Sequence, residues 1–182
     1  MKTLISLAAG FEEIEAVILI DVLRRAEWDV VTAGLESGAV KASRGVQLLP
    51  DVLWDEVDLN VFDLILLPGG WGCAMALCEH AGVQQALQDF YDQDKWIGAI
   101  CAAPLALQKA GILDKKHFTC YPSMAEHFPE TNQPLFENIV EQDGQILTSQ
   151  GPGTAFEFAL QLIAICDSSE KSAAVRSALL LN

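Results

Sequence analysis

Two short apolar runs constrain this chain more than any other feature. Leu64–Leu67 carries no polar side chain and stops at Pro68-Gly69-Gly70. Trp96–Ile100 repeats the pattern and stops at Cys101-Ala102-Ala103-Pro104. A half-solvated strand alternates polar and apolar residues, whereas an unbroken apolar run ended by turn residues suits a central parallel strand buried on both faces. Parallel strands need crossover connections, and helix-like stretches alternate with strand-like ones along the whole sequence. Leu4 to Leu7 read as a first strand that ends at Gly10, Glu12 to Glu27 as a helix, and Val30 to Ala33 as a second strand. Asn138 to Glu141 and Gln145 to Thr148 flank Asp143-Gly144, a hairpin signal. Gly153 to Cys166 and Glu170 to Leu180 read as helices. The pattern predicts one α/β domain over residues 1–182, a length sufficient for a single buried core.

Charge narrows the partners. Lysine and arginine total 11 against 25 aspartates and glutamates, a formal charge of −14. Nucleic acid needs a basic footprint, so direct binding to it is not expected. The N-terminal segment has one lysine and a short apolar run, but Glu12, Glu13 and Glu15 follow without a small-residue cleavage site. No uncharged apolar stretch reaches the ~18 residues of a membrane span. The expectation is a cytoplasmic protein without membrane contact. Five cysteines, Cys73, Cys78, Cys101, Cys120 and Cys166, are odd in number and irregular in spacing, which predicts thiols rather than a disulfide framework. Cys73, Cys78 and His80 are close in sequence but lack zinc-motif spacing, so a helix with two packed cysteines is expected there, and no metal.

Ligands of open parallel sheets sit beyond the carboxyl ends of the strands. Those ends are the segments after Leu7, Leu67 and Ile100. Cys101 stands where a strand meets a helix: Pro104 suits only a first turn and Gly111 ends the run. Free backbone N–H groups and the helix dipole stabilise a thiolate there, which predicts a lowered thiol pKa and a nucleophile-elbow shape. Glu15 falls on the apolar side of its helix with Leu19, Val22, Leu23 and Ala26, while Glu13, Asp21 and Arg24 fall opposite. A carboxyl shielded from water has a raised pKa and, when neutral, donates a hydrogen bond to a thiolate. A glutamate at a helix start also complements the dipole, the role expected of Glu12 and Glu13. The Gly69-Gly70 turn exposes backbone N–H groups, so Gly70 and Ala102 together form a candidate oxyanion hole, although Gly-Gly is also an ordinary turn.

These segments together resemble the ThiJ/PfpI superfamily, in the branch of bacterial relatives of the human Parkinson-disease protein deglycase. The resemblance runs over nearly the whole chain. It rests on AAGFEEIEAV at Ala8 to Val17, SRGV at Ser43 to Val46, LPGG at Leu67 to Gly70, AICAAP at Ala99 to Pro104, and LTSQGPGTAFEFAL at Leu147 to Leu160. It implies a flavodoxin-like sandwich, a mostly parallel sheet with helices on both faces, and a homodimer. It also implies Cys101 as nucleophile with Glu15 hydrogen-bonded to it. Arg25 and Arg44 would lie near the site at the dimer contact, and Gly69, Tyr121 and Pro152 would line it.

The activities implied are cofactor-free conversion of methylglyoxal to lactate, as in glyoxalase III, and removal of early dicarbonyl adducts from proteins or nucleotides, as in deglycases. Chaperone and oxidative-stress roles, with Cys101 oxidised to sulfinate, are implied as well. The sequence departs from the family twice. Tyr121 stands where many relatives have histidine, and a phenol is a poorer proton shuttle near neutral pH, which argues against a Cys–His hydrolase. Trp71-Gly72-Cys73 replaces the usual small residues after the glycine turn and is expected to reshape the pocket mouth. A catalytic and a peroxide-sensing Cys101 need the same thiolate, so both readings stand at this level.

Overall fold

The computed structural model describes residues 1–181. The chain opens with β1 (Lys2–Leu7), α1 (Glu13–Arg25) and β2 (Asp29–Gly34). A small antiparallel hairpin of β3 (Val40–Lys41) and β4 (Gln47–Leu48) precedes the short β5 (Val52–Leu53). Then come β6 (Leu64–Leu67), α2 (Trp71–Glu79), α3 (Ala81–Asp92), β7 (Trp96–Ile100) and α4 (Pro104–Lys109). The hairpin of β8 (Val140–Asp143) and β9 (Ile146–Ser149) leads into α5 (Ala155–Cys166) and α6 (Ser169–Ala178). Seven strands form one sheet in the order β5-β2-β1-β6-β7-β9-β8, with every pairing parallel except β8 on β9.

The chain travels from β1 outward to β2 and β5, returns to β6, and travels the other way to β7 and β9. Right-handed crossovers run in opposite directions place their helices on opposite faces. Accordingly α1 packs with α5 and α5 with α6, while α2 packs with α3 and α4. The two apolar runs are β6 and β7, residue for residue, and Leu64, Ile65, Leu66, Leu67, Ile97 and Ile100 are fully buried. Each such side chain stabilises the fold by about 1.5–3 kcal/mol relative to exposure. Gly98 interrupts the run for a packing reason: a Cβ there would lie 2.3 Å from Leu66 Cδ2 and 3.1 Å from the Phe158 ring on α5. The reversal of direction between β1 and β6 opens a crevice at the carboxyl ends of these two strands.

Helix boundaries follow local chemistry. Glu12 caps α1 by accepting from the Glu15 N–H at 2.9 Å, and Arg24 and Arg25 occupy the last turn. Glu27, expected within the helix, sits at φ 62° and ends it. Pro152–Thr154 forms a 3-10 turn ahead of α5, so that helix starts at Ala155 rather than Gly153. The hairpin is shifted from its expected register. Asp143 pairs with Ile146, so Gly144 at φ 60° and Gln145 make the turn. Asp143 stays in the strand because its carboxylate accepts from Lys116 Nζ at 2.9 Å and from the His117 N–H at 3.0 Å. Among the described residues no helix is long and apolar enough to cross a membrane.

Candidate active site

Cys101 is the residue at which β7 turns into the segment that starts α4. Its φ is 66°, a left-handed conformation that a side chain bearing Cβ adopts only under constraint. Two hydrogen bonds supply that constraint: its N–H donates to the Ser149 carbonyl of β9 at 3.0 Å, and its carbonyl accepts from the Tyr121 N–H at 2.9 Å. The thiol is thus turned out at the edge of the sheet, at the floor of a cavity of about 430 Å³. Gly10, Arg44, Gly70, Ala102, Tyr121 and Pro152 line this cavity with it.

The loop after β6 is built around the sulfur. Gly70 sits at φ 91°, and a Cβ on it would fall 2.2 Å from the Gly10 carbonyl oxygen, so no other residue fits. A Cβ on Gly69 would fall 2.5 Å from Cys101 Cβ and 2.7 Å from Glu15 Oε2. The absence of side chains at both positions lets the backbone close onto the cysteine, where the nearby N–H groups of Gly70 and Ala102 favour the thiolate.

Glu15 comes from the first turn of α1 and is fully buried. Its Oε2 accepts from the Gly69 N–H at 2.7 Å, and its Oε1 is buried without a partner of regular geometry. Burial pushes the Glu15 carboxyl up to about 7; the Gly69 N–H and the Cys101 thiol pull against this, and the charge of Glu12 adds to it. The expected lowering of the Cys101 pKa is not found. Burial first, and the charge of Glu15 second, push the thiol up to about 12, against the pull of the Gly70 and Ala102 N–H groups. A local argument from a helix start counts the N–H donors but not the desolvation that the rest of the fold imposes. The thiolate is therefore favoured in the form where Glu15 keeps its proton, because both the opposing charge and the opposing hydrogen bond then vanish.

The other expected site residues divide. Arg44 reaches the cavity because its loop is clamped: Glu13 accepts from Ser43 Oγ at 3.0 Å and from the Arg44 N–H at 2.9 Å. This also corrects the place of Glu13, which is buried rather than solvated on the far side of α1. Its pKa is lowered: desolvation opposes the change, but hydrogen bonds from its own backbone, Ser43, Arg44 and Val46 outweigh it. Arg25 is not brought to the site within the chain. It ends the helix that Glu13 begins, some ~18 Å away at 1.5 Å per residue, where it pairs with Asp21 at 2.7 Å. Tyr121 lines the cavity but is exposed, and among the described residues no histidine lines it. Trp71, half exposed at the start of α2, forms part of the mouth and stacks at a tilt on His127, ring centres 5.1 Å apart. Ser43, Ser123 and Met124 also line the cavity. Ser43 lies in an irregular loop and Ser123 and Met124 in a 3-10 turn over Pro122–His127, whose positions no sequence periodicity reports.

The remaining cysteines do not join the site. Cys73 and Cys120 are fully buried, and burial pushes each up to about 12. His80 caps α3 by accepting from the Val83 N–H at 3.2 Å.

Comparison with known proteins gives the family. The model of the DJ-1/PfpI family matches residues 1–165. Protein dj-1beta of Drosophila melanogaster is 42% identical over 181 residues, spanning 99% of this chain and 97% of that protein. The crystal structure of Drosophila melanogaster DJ-1beta superposes with a TM-score of 0.96 at 41% identity, over 100% of this chain and 98% of that one. Oxidized Toxoplasma gondii DJ-1 gives 0.93 at 38% identity, over 98% and 97%. The glutathione-independent glyoxalase DJR-1.2 of Caenorhabditis elegans is 35% identical over 161 residues, 88% of this chain and 86% of that protein. The mostly parallel sheet, the glycine turn against Cys101 and a match over residues 1–165 converge on one assignment: this chain belongs to the DJ-1/PfpI family, which includes glyoxalase-type enzymes.

Proposed function

We propose that this protein converts small α-dicarbonyls such as methylglyoxal to 2-hydroxy acids without a cofactor, or frees proteins or nucleotides from their early dicarbonyl adducts. The observation that carries the reading is the pairing of a strained, N–H-ringed Cys101 with a buried carboxyl whose pKa is raised to about 7. The Cys101 sulfur adds to the aldehyde carbon, a C–S bond forms, and the carbonyl electron pair moves to oxygen. The N–H groups of Gly70 and Ala102 hold that oxyanion. Glu15 gives its proton to the oxyanion, which completes a hemithioacetal; as a carboxylate it then takes the proton from the former aldehyde carbon and returns it to the neighbouring carbonyl carbon by way of an enediol, while the hydroxyl proton passes to the neighbouring oxygen. This leaves a thioester beside an alcohol. Water cleaves the C–S bond and restores the thiol, so methylglyoxal and one water become lactate with no net redox change. A carboxyl poised near neutral pH suits both halves of that proton shift. The test is lactate formation from methylglyoxal alone. Production proportional to protein, without added thiol, is expected, and none in folded protein refutes the reading.

A second reading has its own observation. The partnerless Oε1 of Glu15, when protonated, is a donor for an oxygen on sulfur. Two equivalents of peroxide oxidise the Cys101 thiol to sulfinic acid and leave two waters, and such a donor stabilises the product at that stage. Intact mass after mild peroxide is expected to rise by two oxygen atoms, on Cys101.

The protein is proposed to act as a homodimer. Ile14 and Val17 on α1 are 52% and 47% exposed, and Val46 and Leu49, on the segment that Glu13 clamps, are 49% and 73% exposed. Apolar side chains so exposed on adjoining segments suit a self-complementary contact. Light scattering at micromolar concentration is expected to give twice the chain mass, and Val17→Asp to halve it. A monomer for the parent chain would refute the dimer.

A further inference from the structure

A cavity of about 450 Å³ lies between α2 and α4, beside the Cys101 cavity, and Trp71 lines both. On α2 its wall is Trp71, Met75, Cys78 and Glu79, a stripe at helical spacing. On α4 it is Leu105, Gln108 and Lys109. Leu105 is one turn beyond Cys101, and the nine residues of α2 from Trp71 to Glu79 carry the groove roughly 12 Å away from the mouth. Met75, Cys78 and Leu105 supply its apolar surface, all only partly buried by the fold itself, beside the polar Glu79, Gln108 and Lys109. Its entrance is aromatic, since Trp71 is half exposed and braced by His127. Methylglyoxal, with a methyl as its substituent, fills little of such a space, whereas cavities of this size suit larger, mostly apolar ligands.

We infer that Trp71 and the α2–α4 groove form a subsite for the substituent of the substrate, selecting α-dicarbonyls that carry a flat aromatic group. The inference rests on the dicarbonyl reading of Cys101. The reacting carbons sit over the sulfur, and the ring lies against the Trp71 indole with its far edge over Met75 and Leu105. The same addition, proton shift and hydrolysis convert phenylglyoxal and one water to mandelate. Trp71 does not touch the reacting atoms; it is a specificity determinant, and its removal acts on KM for the aromatic substrate.

The test compares phenylglyoxal with methylglyoxal. The parent protein is expected to show the higher kcat/KM for phenylglyoxal. Trp71→Ala is expected to raise KM for phenylglyoxal about three- to tenfold more than it raises KM for methylglyoxal, the worth of one aromatic contact, with the loss in KM rather than kcat. Trp71→Phe is expected to restore most of the loss. Equal losses on both substrates, or none on either, would overturn the subsite. A parallel titration of Cys101→Ser with mandelate and with lactate separates this failure from that of the chemistry. Trp71→Ala in that background is expected to weaken mandelate about three- to tenfold more than it weakens lactate. Mandelate binding that is indifferent to Trp71 overturns the inference even if turnover is absent altogether, and Trp71-dependent binding without turnover upholds the subsite while the proposed reaction fails.

Discussion

Cys101→Ser is expected to abolish dicarbonyl turnover, by about a thousandfold or more, and to leave the fold as it is. The backbone at this position is held by the Ser149 carbonyl and the Tyr121 N–H, neither of which involves the side chain. Replacing sulfur by oxygen keeps the shape and leaves the φ of 66° no more strained than before. The chemistry changes more. A serine hydroxyl is far weaker as a nucleophile without a base, and the one basic group in reach, Glu15, is needed for the later proton shift. Cys73 and Cys120 are fully buried and do not substitute. The check is lactate formation alongside thermal unfolding of the variant. Turnover retained in a protein that melts like its parent would remove Cys101 from the mechanism.

The second large effect concerns stability and has a definite sign. Burial raises the Glu15 carboxyl from 4.5 to about 7 in the folded state. Between these values the folded chain holds a proton that the unfolded chain has released, so stability falls as pH rises. The contribution is fully present below about 4.5, declines through neutrality and is gone above about 7. The difference corresponds to about 3 kcal/mol. Glu15→Gln keeps an acceptor for the Gly69 N–H and a donor toward Cys101, but cannot ionise. It is expected to match the parent at pH 4.5 and to exceed it by about 3 kcal/mol at pH 8. Urea unfolding of both proteins at the two pH values measures this. A parent chain whose pH dependence equals that of Glu15→Gln would show that Glu15 titrates as an ordinary surface carboxyl. The stabilised variant is also expected to lose the proton shift, since an amide does not accept and return a proton. This is the usual exchange of stability for activity at a strained site.

Much of this protein is determined by the sequence alone. Leu64–Leu67 and Trp96–Ile100 are strands because an apolar run of that length, cut by proline and glycine, has no other way to bury both faces. Gly69-Gly70 and Cys101-Ala102-Ala103-Pro104 mark the ends of adjacent strands, so topology alone brings them together. Glu15 is read from helical periodicity. Only the tertiary structure decided the rest. Asp143 remains in its strand because Lys116 and His117 claim its carboxylate from a distant segment. Glu13 is buried because the Ser43–Arg44 loop folds back onto it. The Cys101 thiol is raised rather than lowered because desolvation is a sum over everything packed around the site. The groove beside Trp71 exists only where α2 and α4 meet. Periodicity and turn chemistry are properties of neighbours in the chain, whereas burial, charge coupling and cavity shape belong to groups that folding brings together from far apart.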